Sequence, residues 1–270
     1  MDIKDKVFVV TGGGSGIGRA AVLELIAQGA RVAAVDRSTD GLRGTAALTD
    51  SVGRLTLHAI DITEQDQVES LVASVIDAHG TADGLVNVAG IVHRFVSVAE
   101  LRIDELERVL AVNYWGTVRV TKAFLPILTE RPAAALVNVA SKGGIVPVPG
   151  QGAYGASKAA VKLLTETLFV ELAATPIAVS LVIPGAVATG ILDNSGVDLS
   201  SIPAAAHDSG MAQSHPVDAT EAGATIVEAI RTGRFRVFIG ADAQEADRAA
   251  REDPMAVLES EASRLRAAAG

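Results

Sequence analysis

Short, almost purely apolar segments alternate along this chain with longer segments whose apolar residues recur at helical spacing. The apolar segments read KVFVV, RVAAV, LTLHAI, GLVNV, AALVNVA and IAVSLVI, and a further one follows around FRVFIG. Strands without a polar face must be covered on both sides, which requires helices above and below a mostly parallel sheet. The alternation therefore predicts an α/β fold, a doubly wound parallel sheet of about seven strands with helices on both faces.

The composition gives no reason to divide the chain. With 270 residues it is long enough for one large α/β domain, and apolar and polar residues are spread evenly. We therefore predict a single domain over residues 1–270. Within it, segment 191–215 mixes Gly, Ser, Asp and Pro with small apolar residues and is predicted to be a mobile substrate lid. A helix from about 216 to 231 and a charged helical tail over 241–270 are predicted on either side of the last strand.

Charge and residue usage exclude several classes of protein. The formal net charge of -9 repels phosphate backbones and no basic run offsets it, so no nucleic-acid partner is predicted. The apolar runs are too short to cross a bilayer, and the initial MDIKDK lacks the order of a secretion signal, so we predict a cytoplasmic protein without membrane association. The absence of cysteine excludes disulfides and thiolate chemistry. The histidines lack metal-ligand spacing, so no metal site is predicted.

A glycine-rich turn, TGGGSGIG over residues 11–18, separates the first strand from the helical segment RAAVLELIAQG. Such a turn lets the backbone approach a pyrophosphate closely, while helix N-terminal amides point at its charge. The glycines do not fit G-x-G-x-x-G, and no Gly-Lys-Ser/Thr closes a P-loop; Gly12, Gly16 and Gly18 fit a different dinucleotide arrangement. A tight connection is the alternative, but the place after strand one favours a dinucleotide and a Rossmann-type fold.

Asp36 bears on the choice of cofactor. It ends the second strand, about 20 residues beyond the loop, where a carboxylate can accept both ribose hydroxyls of an adenosine. An anion there would repel a 2′-phosphate, so NAD is predicted over NADP. The adjacent Arg37 keeps NADP open, because a guanidinium can pair with a phosphate. Asp36 could also be a simple turn residue at the end of a strand.

In this order the motifs resemble those of the short-chain dehydrogenase/reductase family, and the resemblance runs from about Lys6 to Thr189. The matching pieces are TGGGSGIG, Asp61, NVAG at 87–90, Asn113, Ser141, YGASK at 154–158 and PGAVAT at 184–189. Any one piece occurs by chance, but the ordered set in one α/β frame is specific. The resemblance implies an NAD-dependent oxidoreductase that interconverts a secondary alcohol and a ketone by hydride transfer.

The resemblance also implies catalytic roles. Tyr154 becomes the general acid/base, and Lys158, one helical turn away, is expected to lower the phenol's pKa from about 10 together with the positive nicotinamide. Ser141 donates a hydrogen bond to the substrate oxygen. Asn113 is expected to bend its helix and to hold a water that links Lys158 to solvent. The residues between Tyr154 and Lys158 are small, which is expected if the cofactor lies close against that helix.

A larger set of residues is implied for the cofactor, with Asp61 and Ile62 beside the adenine and Thr189 beside the carboxamide. The set comprises Gly12, Ser15, Gly16, Ile17, Gly18, Asp36, Arg37, Asp61, Ile62, Asn87, Ala89, Gly90, Tyr154, Lys158, Pro184, Gly185, Val187 and Thr189. Asn87 and Asn113 could instead satisfy buried backbone groups. His93 and Arg94 fall where family members line the substrate pocket, although residues there more often form only its rim.

Three other functions remain open. A sugar-nucleotide epimerase or dehydratase shares the Tyr-x-x-x-Lys pair but usually has another glycine spacing and a larger C-terminal domain. The other two are an NADP-dependent ketoreductase of the 3-oxoacyl type and a non-catalytic dinucleotide-sensing or scaffolding module. The intact Ser141, Tyr154 and Lys158 argue against a module that only binds. The substrate is predicted only as a small-molecule alcohol or ketone.

The end of the chain departs from the family pattern. Many members carry an Asp-Gly-Gly motif after the last strand, at a tetramer interface, whereas here GADAQEADRAAREDP follows. The helices that carry Asn113 and Tyr154 keep apolar faces of the kind that pair between subunits in this family. The chain is therefore expected to be a homo-oligomer, a homodimer in preference to a homotetramer.

Overall fold

The structure is a computed structural model that describes residues 1–50, 53–197 and 216–269. Within these ranges the strands form one parallel seven-stranded sheet in the order β3-β2-β1-β4-β5-β6-β7. The strands are β1 (Val7–Thr11), β2 (Arg31–Asp36), β3 (Leu55–Ala59), β4 (Gly84–Asn87), β5 (Ala134–Val139), β6 (Ile177–Pro184) and β7 (Arg236–Ile239). Each agrees with its predicted segment to within one residue at either end, and the predicted doubly wound sheet is confirmed.

Helices connect the strands on both faces of the sheet. They are α1 (Gly16–Ala27), α2 (Thr39–Ala46), α3 (Gln65–His79), α4 (Ile103–Leu110), α5 (Thr117–Thr129), α6 (Gly152–Glu171), α7 (Ile191–Ser195), α8 (Ala219–Thr232), α9 (Ala241–Glu252) and α10 (Pro254–Ala269). A π-helical turn, Ala111–Gly116, joins α4 to α5, and a 3-10 turn, Lys142–Gly144, follows β5. Among the described residues, no helix is long and apolar enough to cross a bilayer.

The core consists of two layers, one on each face of the sheet. Successive strand residues point to opposite faces, so that Phe8 and Val10 pack against α1 and α8, whereas Val9 packs against α3, α5 and α6. All residues of β1, β4 and β5 are buried. This double-sided burial is the physical reason for the continuous apolar runs in the sequence.

The winding of the sheet reverses between β1 and β4, which are neighbours although β2 and β3 lie between them in the chain. In a doubly wound sheet the loops at the carboxyl ends of the strands separate at this point and leave a crevice. The predicted site residues follow β1 to β6 or lie on the adjoining helices. The topology therefore brings them to one edge of the sheet.

One helix begins later than the sequence predicted. The helix expected from about 216 begins at Ala219, because the Asp218 side chain accepts the Thr220 N–H (2.7 Å) as an N-cap. The helical pattern around Asn113 contains the π-helical turn, at the residue that was expected to bend the backbone. Of the predicted lid, α7 and the two residues after it are described, and the remaining residues, 198–215, lie outside the described ranges.

Candidate active site

A cavity of about 520 Å³ opens at the point where the sheet winding reverses. With the exceptions of Asn87 and Asn113, all the predicted catalytic and cofactor residues line it. Tyr154 and Lys158 lie on the same face of α6, and both border this space. The fold therefore assembles most of the sequence-predicted site in a single crevice.

The glycine-rich turn forms a tight backbone cradle at one end of the cavity. Gly12 and Gly16 have positive φ angles, +72° and +49°, which favour glycine. A Cβ at Gly18 would lie 2.1 Å from the Gly12 carbonyl oxygen. Ser15 is the N-cap of α1, but its side chain makes no capping hydrogen bond. The first amides of α1 thus lie beside a crevice that no side chain fills, which fits a pyrophosphate.

The Asp36 carboxylate lies half-buried next to this cradle and borders the cavity. Its Oδ2 accepts the Gly14 N–H (3.0 Å), and its Oδ1 accepts the Ser38 N–H (2.9 Å). These two bonds hold the carboxylate in place between the glycine turn and the start of α2. Arg37 is exposed beside it, at the rim.

Asn87 has a structural role in this fold. Its buried Nδ2 donates to the Thr121 hydroxyl (3.0 Å) and to Asn138 Oδ1 (2.9 Å), and Asn138 Nδ2 in turn donates to the Thr165 hydroxyl (3.0 Å). This chain of bonds connects β4 and β5 to α5 and α6. Asn87 does not line the cavity, and its Nδ2 is bonded to buried groups of α5 and β5. Its place in the predicted cofactor set stays a prediction.

Asn113 lies in the π-helical turn, so the predicted departure from regular α-helix occurs there. Its Nδ2 donates to the Ile91 carbonyl (3.0 Å) and the Ser157 hydroxyl (2.9 Å), and its Oδ1 accepts the Ile91 N–H (2.8 Å). The amide therefore fastens the loop after β4 to α6. The proposed proton relay through a water stays a prediction, and the side-chain amide is already occupied by these partners.

Lys158 is a buried cation, with 4% of its side-chain and backbone surface exposed. Its Nζ donates to the Val139 carbonyl (3.0 Å) and lies 6.0 Å from the centre of the Tyr154 ring. A Cβ at Gly90 would be 3.2 Å from this Nζ, so the glycine leaves room for the ammonium. Burial lowers the pKa of Lys158 to about 8.

The phenol of Tyr154 differs from the sequence prediction. Burial raises its pKa above the ordinary value, and a hydrogen bond from the Ser141 hydroxyl opposes this rise. Without a bound cofactor, the pKa of Tyr154 is therefore not lowered by Lys158 as the sequence predicted. The physical reason is that desolvation outweighs an ammonium that lies 6.0 Å from the ring centre and is bonded to the Val139 carbonyl.

The 3-10 turn after β5 packs directly on α6 and sets the position of Ser141. The Ser141 Oγ accepts the Gly143 N–H (3.2 Å), and a Cβ at Gly144 would lie 2.7 Å from the Lys158 carbonyl carbon. A Cβ at Gly155 would lie 2.8 Å from the Gly143 oxygen. The turn therefore leaves no room for a side chain at Gly155. The predicted close approach of the cofactor to this helix stays a prediction.

His93 has a role that the sequence did not reveal, because its partner is 60 residues away. The buried ring accepts the Ala153 N–H at Nε2 (3.2 Å), and its Nδ1–H donates to the Arg94 carbonyl. Burial lowers the pKa of His93, which favours this neutral ring at the start of α6. Arg94 pairs with Glu105 (2.8 Å). Neither residue lines the cavity: His93 is buried against the start of α6, and Arg94 is exposed.

α7 closes over one side of the site. Asn194 Nδ2 donates to the Ser15 hydroxyl (3.0 Å), and the Ser195 hydroxyl accepts the Val92 N–H (3.0 Å). Its residue Leu192 lines the cavity. The first turn of the predicted lid therefore contacts both the glycine-rich turn and the loop after β4. Other apolar residues that line the cavity are Val92, Phe95 and Val148.

Comparison with known proteins adds to this geometry. The model of the short chain dehydrogenase family matches residues 6–199. The SadH protein of Mycobacterium tuberculosis is 36% identical over 253 residues, which cover 91% of this chain and 90% of SadH.

Solved structures resemble the whole fold. A short chain dehydrogenase/reductase from Burkholderia phymatum in complex with NAD has a TM-score of 0.85 and 29% identity, and the match covers 94% of this chain and 96% of that chain. A short chain dehydrogenase from Burkholderia cenocepacia in complex with NADP has a TM-score of 0.80 and 28% identity, with 97% and 99% covered. Proteins similar to this chain thus bind either dinucleotide.

Proposed function

The chain belongs to the short-chain dehydrogenase/reductase family, and we propose that it is an NAD-dependent oxidoreductase that interconverts a secondary alcohol and a ketone. Membership makes it an oxidoreductase with a nucleotide-binding fold. The observation that carries the finer proposal is that Ser141, Tyr154 and Lys158 border one cavity with the glycine cradle and Asp36. This is the arrangement needed to hold a dinucleotide next to a proton-transfer group.

The residues of the crevice fit a dinucleotide in a defined orientation. The cradle around Gly12 and Gly18 suits the pyrophosphate, and Asp36 suits the adenosine ribose. Lys158 and the loop from Pro184 to Thr189 suit the nicotinamide half. When bound, the dinucleotide supplies the hydride acceptor for oxidation of the alcohol.

The chain itself supplies proton transfer and charge stabilisation. Tyr154 removes the hydroxyl proton of the alcohol, and in the reverse direction it returns a proton to the ketone oxygen. Ser141 donates a hydrogen bond to the same oxygen and stabilises the charge that develops on it. Lys158 is protonated at pH 7, since its pKa is about 8, so it presents a cation beside the phenolate.

The physical argument concerning Asp36 favours NAD over NADP. Both carboxylate oxygens accept backbone N–H groups, which hold the carboxylate at the expected ribose position. A 2′-phosphate there would approach a fixed negative charge. Arg37 lies at the rim but is exposed, so its attraction for a phosphate is weakened by solvent. This favours the dehydrogenase over the NADP-dependent ketoreductase.

We expect the Asp36→Ala variant to lose affinity for NAD and to gain affinity for NADP. The carboxylate's hydrogen bonds to the ribose are lost, and so is its repulsion of a phosphate. Titration of both reduced cofactors by fluorescence measures the two dissociation constants. An Asp40→Ala variant, which removes a fully exposed carboxylate on α2, is the matched control. Tighter binding of NADPH than NADH by the parent protein would refute the assignment.

The substrate side of the cavity points to an alcohol with an apolar body. Val92, Phe95 and Val148 are among the residues that line the cavity, and the Lys142 ammonium is paired with Asp242. Such a wall favours burial of carbon surface over binding of a charged group. To test this, the protein is mixed with NAD or NADP and a panel of secondary alcohols, and the absorbance of the reduced cofactor is followed. Turnover of apolar alcohols with NAD supports the proposal; failure with every alcohol but tight NAD binding would favour the sensing module.

We also propose that the protein is a homodimer through α5 and α6. Leu163 and Val170 are exposed on α6, and Trp115 is exposed just before α5. Together they form an apolar face on the helices that carry the active site. Sedimentation should give a dimer for the parent and a monomer for Leu163→Asp. Leu48→Asp, at an exposed leucine elsewhere, should remain dimeric; a monomeric parent would contradict the proposal.

A further inference from the structure

An ion pair connects the active site to the segment beyond the last strand. Lys142 directly follows Ser141, and its Nζ lies 2.8 Å from Oδ2 of Asp242, in the first turn of α9. The two side chains are only 14% and 18% exposed. Solvent screens such a pair less than it screens a surface pair, so loss of one charge is felt more strongly. Lys142 lines the cavity, whereas Asp242 lies behind it.

The same carboxylate also holds the loop after β6. Its Oδ2 accepts the Ala186 N–H (3.2 Å). A Cβ at Gly185 would lie 1.9 Å from Asp242 Oδ1, and one at Gly240 would lie 2.6 Å from it. The carboxylate therefore occupies the space that side chains at these two positions would need. One carboxylate oxygen contacts both the turn that carries Ser141 and the loop that begins at Gly185.

We propose that Asp242 is a positioning residue that fixes these two parts of the active site relative to each other. The inference rests on the proposed function, in which Ser141 holds the substrate oxygen and the loop from Pro184 to Thr189 holds the nicotinamide. Their relative position sets the geometry of hydride transfer, which tolerates little displacement. A segment outside the family match at residues 6–199 thus becomes part of the catalytic architecture.

The rest of α9 is anchored without Asp242. The buried Asp247 pairs with Arg236 on β7 and with Arg251 (2.6 Å). Ala243 is buried in a cluster with Leu181 and other residues of the sheet. A substitution at Asp242 should therefore leave the helix in place and change only the connection to the active site.

We expect Asp242→Asn to lower kcat by about tenfold, because a displacement near 1 Å can cost about 10²-fold and the Asn oxygen still accepts the Ala186 N–H. The KM for the alcohol and the NADH dissociation constant should stay near the parent values, since the groups that bind them are untouched. Glu252→Gln removes the same charge at an exposed site on α9 and should keep the parental kcat.

Two further measurements separate positioning from simple stabilisation. In the free protein, hydrogen exchange of residues 184–189 should be faster in Asp242→Ala, which removes the acceptor of the Ala186 N–H. Lys142→Met should lower kcat as Asp242→Asn does. The double variant should be no slower than the slower single variant, because both changes break the same connection.

The outcomes are distinguishable from those that bear on the proposed function. Parental kcat in both Asp242→Asn and Lys142→Met would overturn the positioning role. A lower kcat that is accompanied by weaker NADH binding and a lower melting temperature would also overturn it, because it would indicate a general loss of structure. A parent protein that turns over no alcohol contradicts the proposed oxidoreductase chemistry instead. Even then, unchanged hydrogen exchange of residues 184–189 in Asp242→Ala would show that Asp242 does not hold the loop after β6.

Discussion

The Tyr154→Phe variant is expected to lose alcohol oxidation almost completely while it keeps its affinity for the cofactor. General acid–base catalysis contributes about 10²–10⁴-fold to rate, and we expect a loss of about 10³-fold in kcat. The phenyl ring retains the packing of tyrosine on α6, so the cavity and the position of Lys158 should be preserved. Steady-state kinetics with NAD, combined with fluorescence titration of NADH, measures the two quantities separately.

The other tyrosine of the chain provides a matched control. Tyr114 packs edge-on against Trp115 at 5.1 Å between ring centres and does not line the cavity. Tyr114→Phe should therefore keep parental turnover. A Tyr154→Phe variant with normal turnover would disprove the proposed proton transfer.

The pH dependence gives a second test of the same group. Oxidation requires the phenolate as base, so its rate should rise with pH until the phenol is ionised, whereas ketone reduction requires the phenol as acid and should fall. Burial raises the phenol's pKa in the chain alone, and the positively charged nicotinamide ring of the oxidised cofactor, once bound beside the phenol, should shift this profile to lower pH. Residual activity of Tyr154→Phe should lack this titration.

The sheet could be predicted from the sequence because strands that are buried on both faces consist almost entirely of apolar residues. All residues of β1 and β5 are buried, and all but Thr11 and Asn138 are apolar, as expected for strands that helices cover on both faces. The carboxyl ends of parallel strands lie at the same edge of a sheet. The motifs that follow the strands in the sequence are therefore brought together at that edge, where the crevice lies. Gly18 was identified from the spacing of the glycines and Tyr154 from the family resemblance, and both line this crevice.

The sequence could not reveal contacts between distant residues. His93 caps α6 from 60 residues away, and Asp242 pairs with Lys142 from 100 residues away. No motif near these residues in the sequence distinguishes them from ordinary polar residues at the surface. The same holds for Asn87, whose motif predicted a place beside the cofactor but did not reveal that its Nδ2 donates to the buried Thr121 hydroxyl and to Asn138 Oδ1. The pKa of Tyr154 likewise depends on depth of burial, which spacing along a helix does not give.

The Gly18→Ala variant is expected to lose dinucleotide affinity and stability together. The new Cβ would lie 2.1 Å from the Gly12 oxygen and 2.6 Å from the Gly12 carbonyl carbon, so the backbone of the turn must move. Overpacking of this kind costs about 1–3 kcal/mol, which lowers the melting temperature by about 2–4 °C per kcal/mol in a chain near this size. Displacement of the cradle removes its complementarity to the pyrophosphate, and NADH affinity should fall at least about tenfold, equivalent to about 1.4 kcal/mol.

Gly44→Ala provides the control for this prediction, because it makes the same chemical change inside α2. The nearest atom to its Cβ would be Nη2 of Arg19 at 3.3 Å, which also donates to the Gly14 and Gly41 carbonyls, so a shift of only a few tenths of an ångström is needed and no backbone atom is displaced. Alanine favours a helix over glycine by about 1 kcal/mol, so Gly44→Ala should melt no lower than the parent and bind NADH normally. If Gly18→Ala also kept parental affinity and melting temperature, the close packing of the turn would not be what shapes the cofactor site. If Gly18→Ala instead bound NADH weakly but melted at the parental temperature, the fold would tolerate a displaced turn that the pyrophosphate does not. The close packing at Gly18 would then matter for cofactor binding and not for stability.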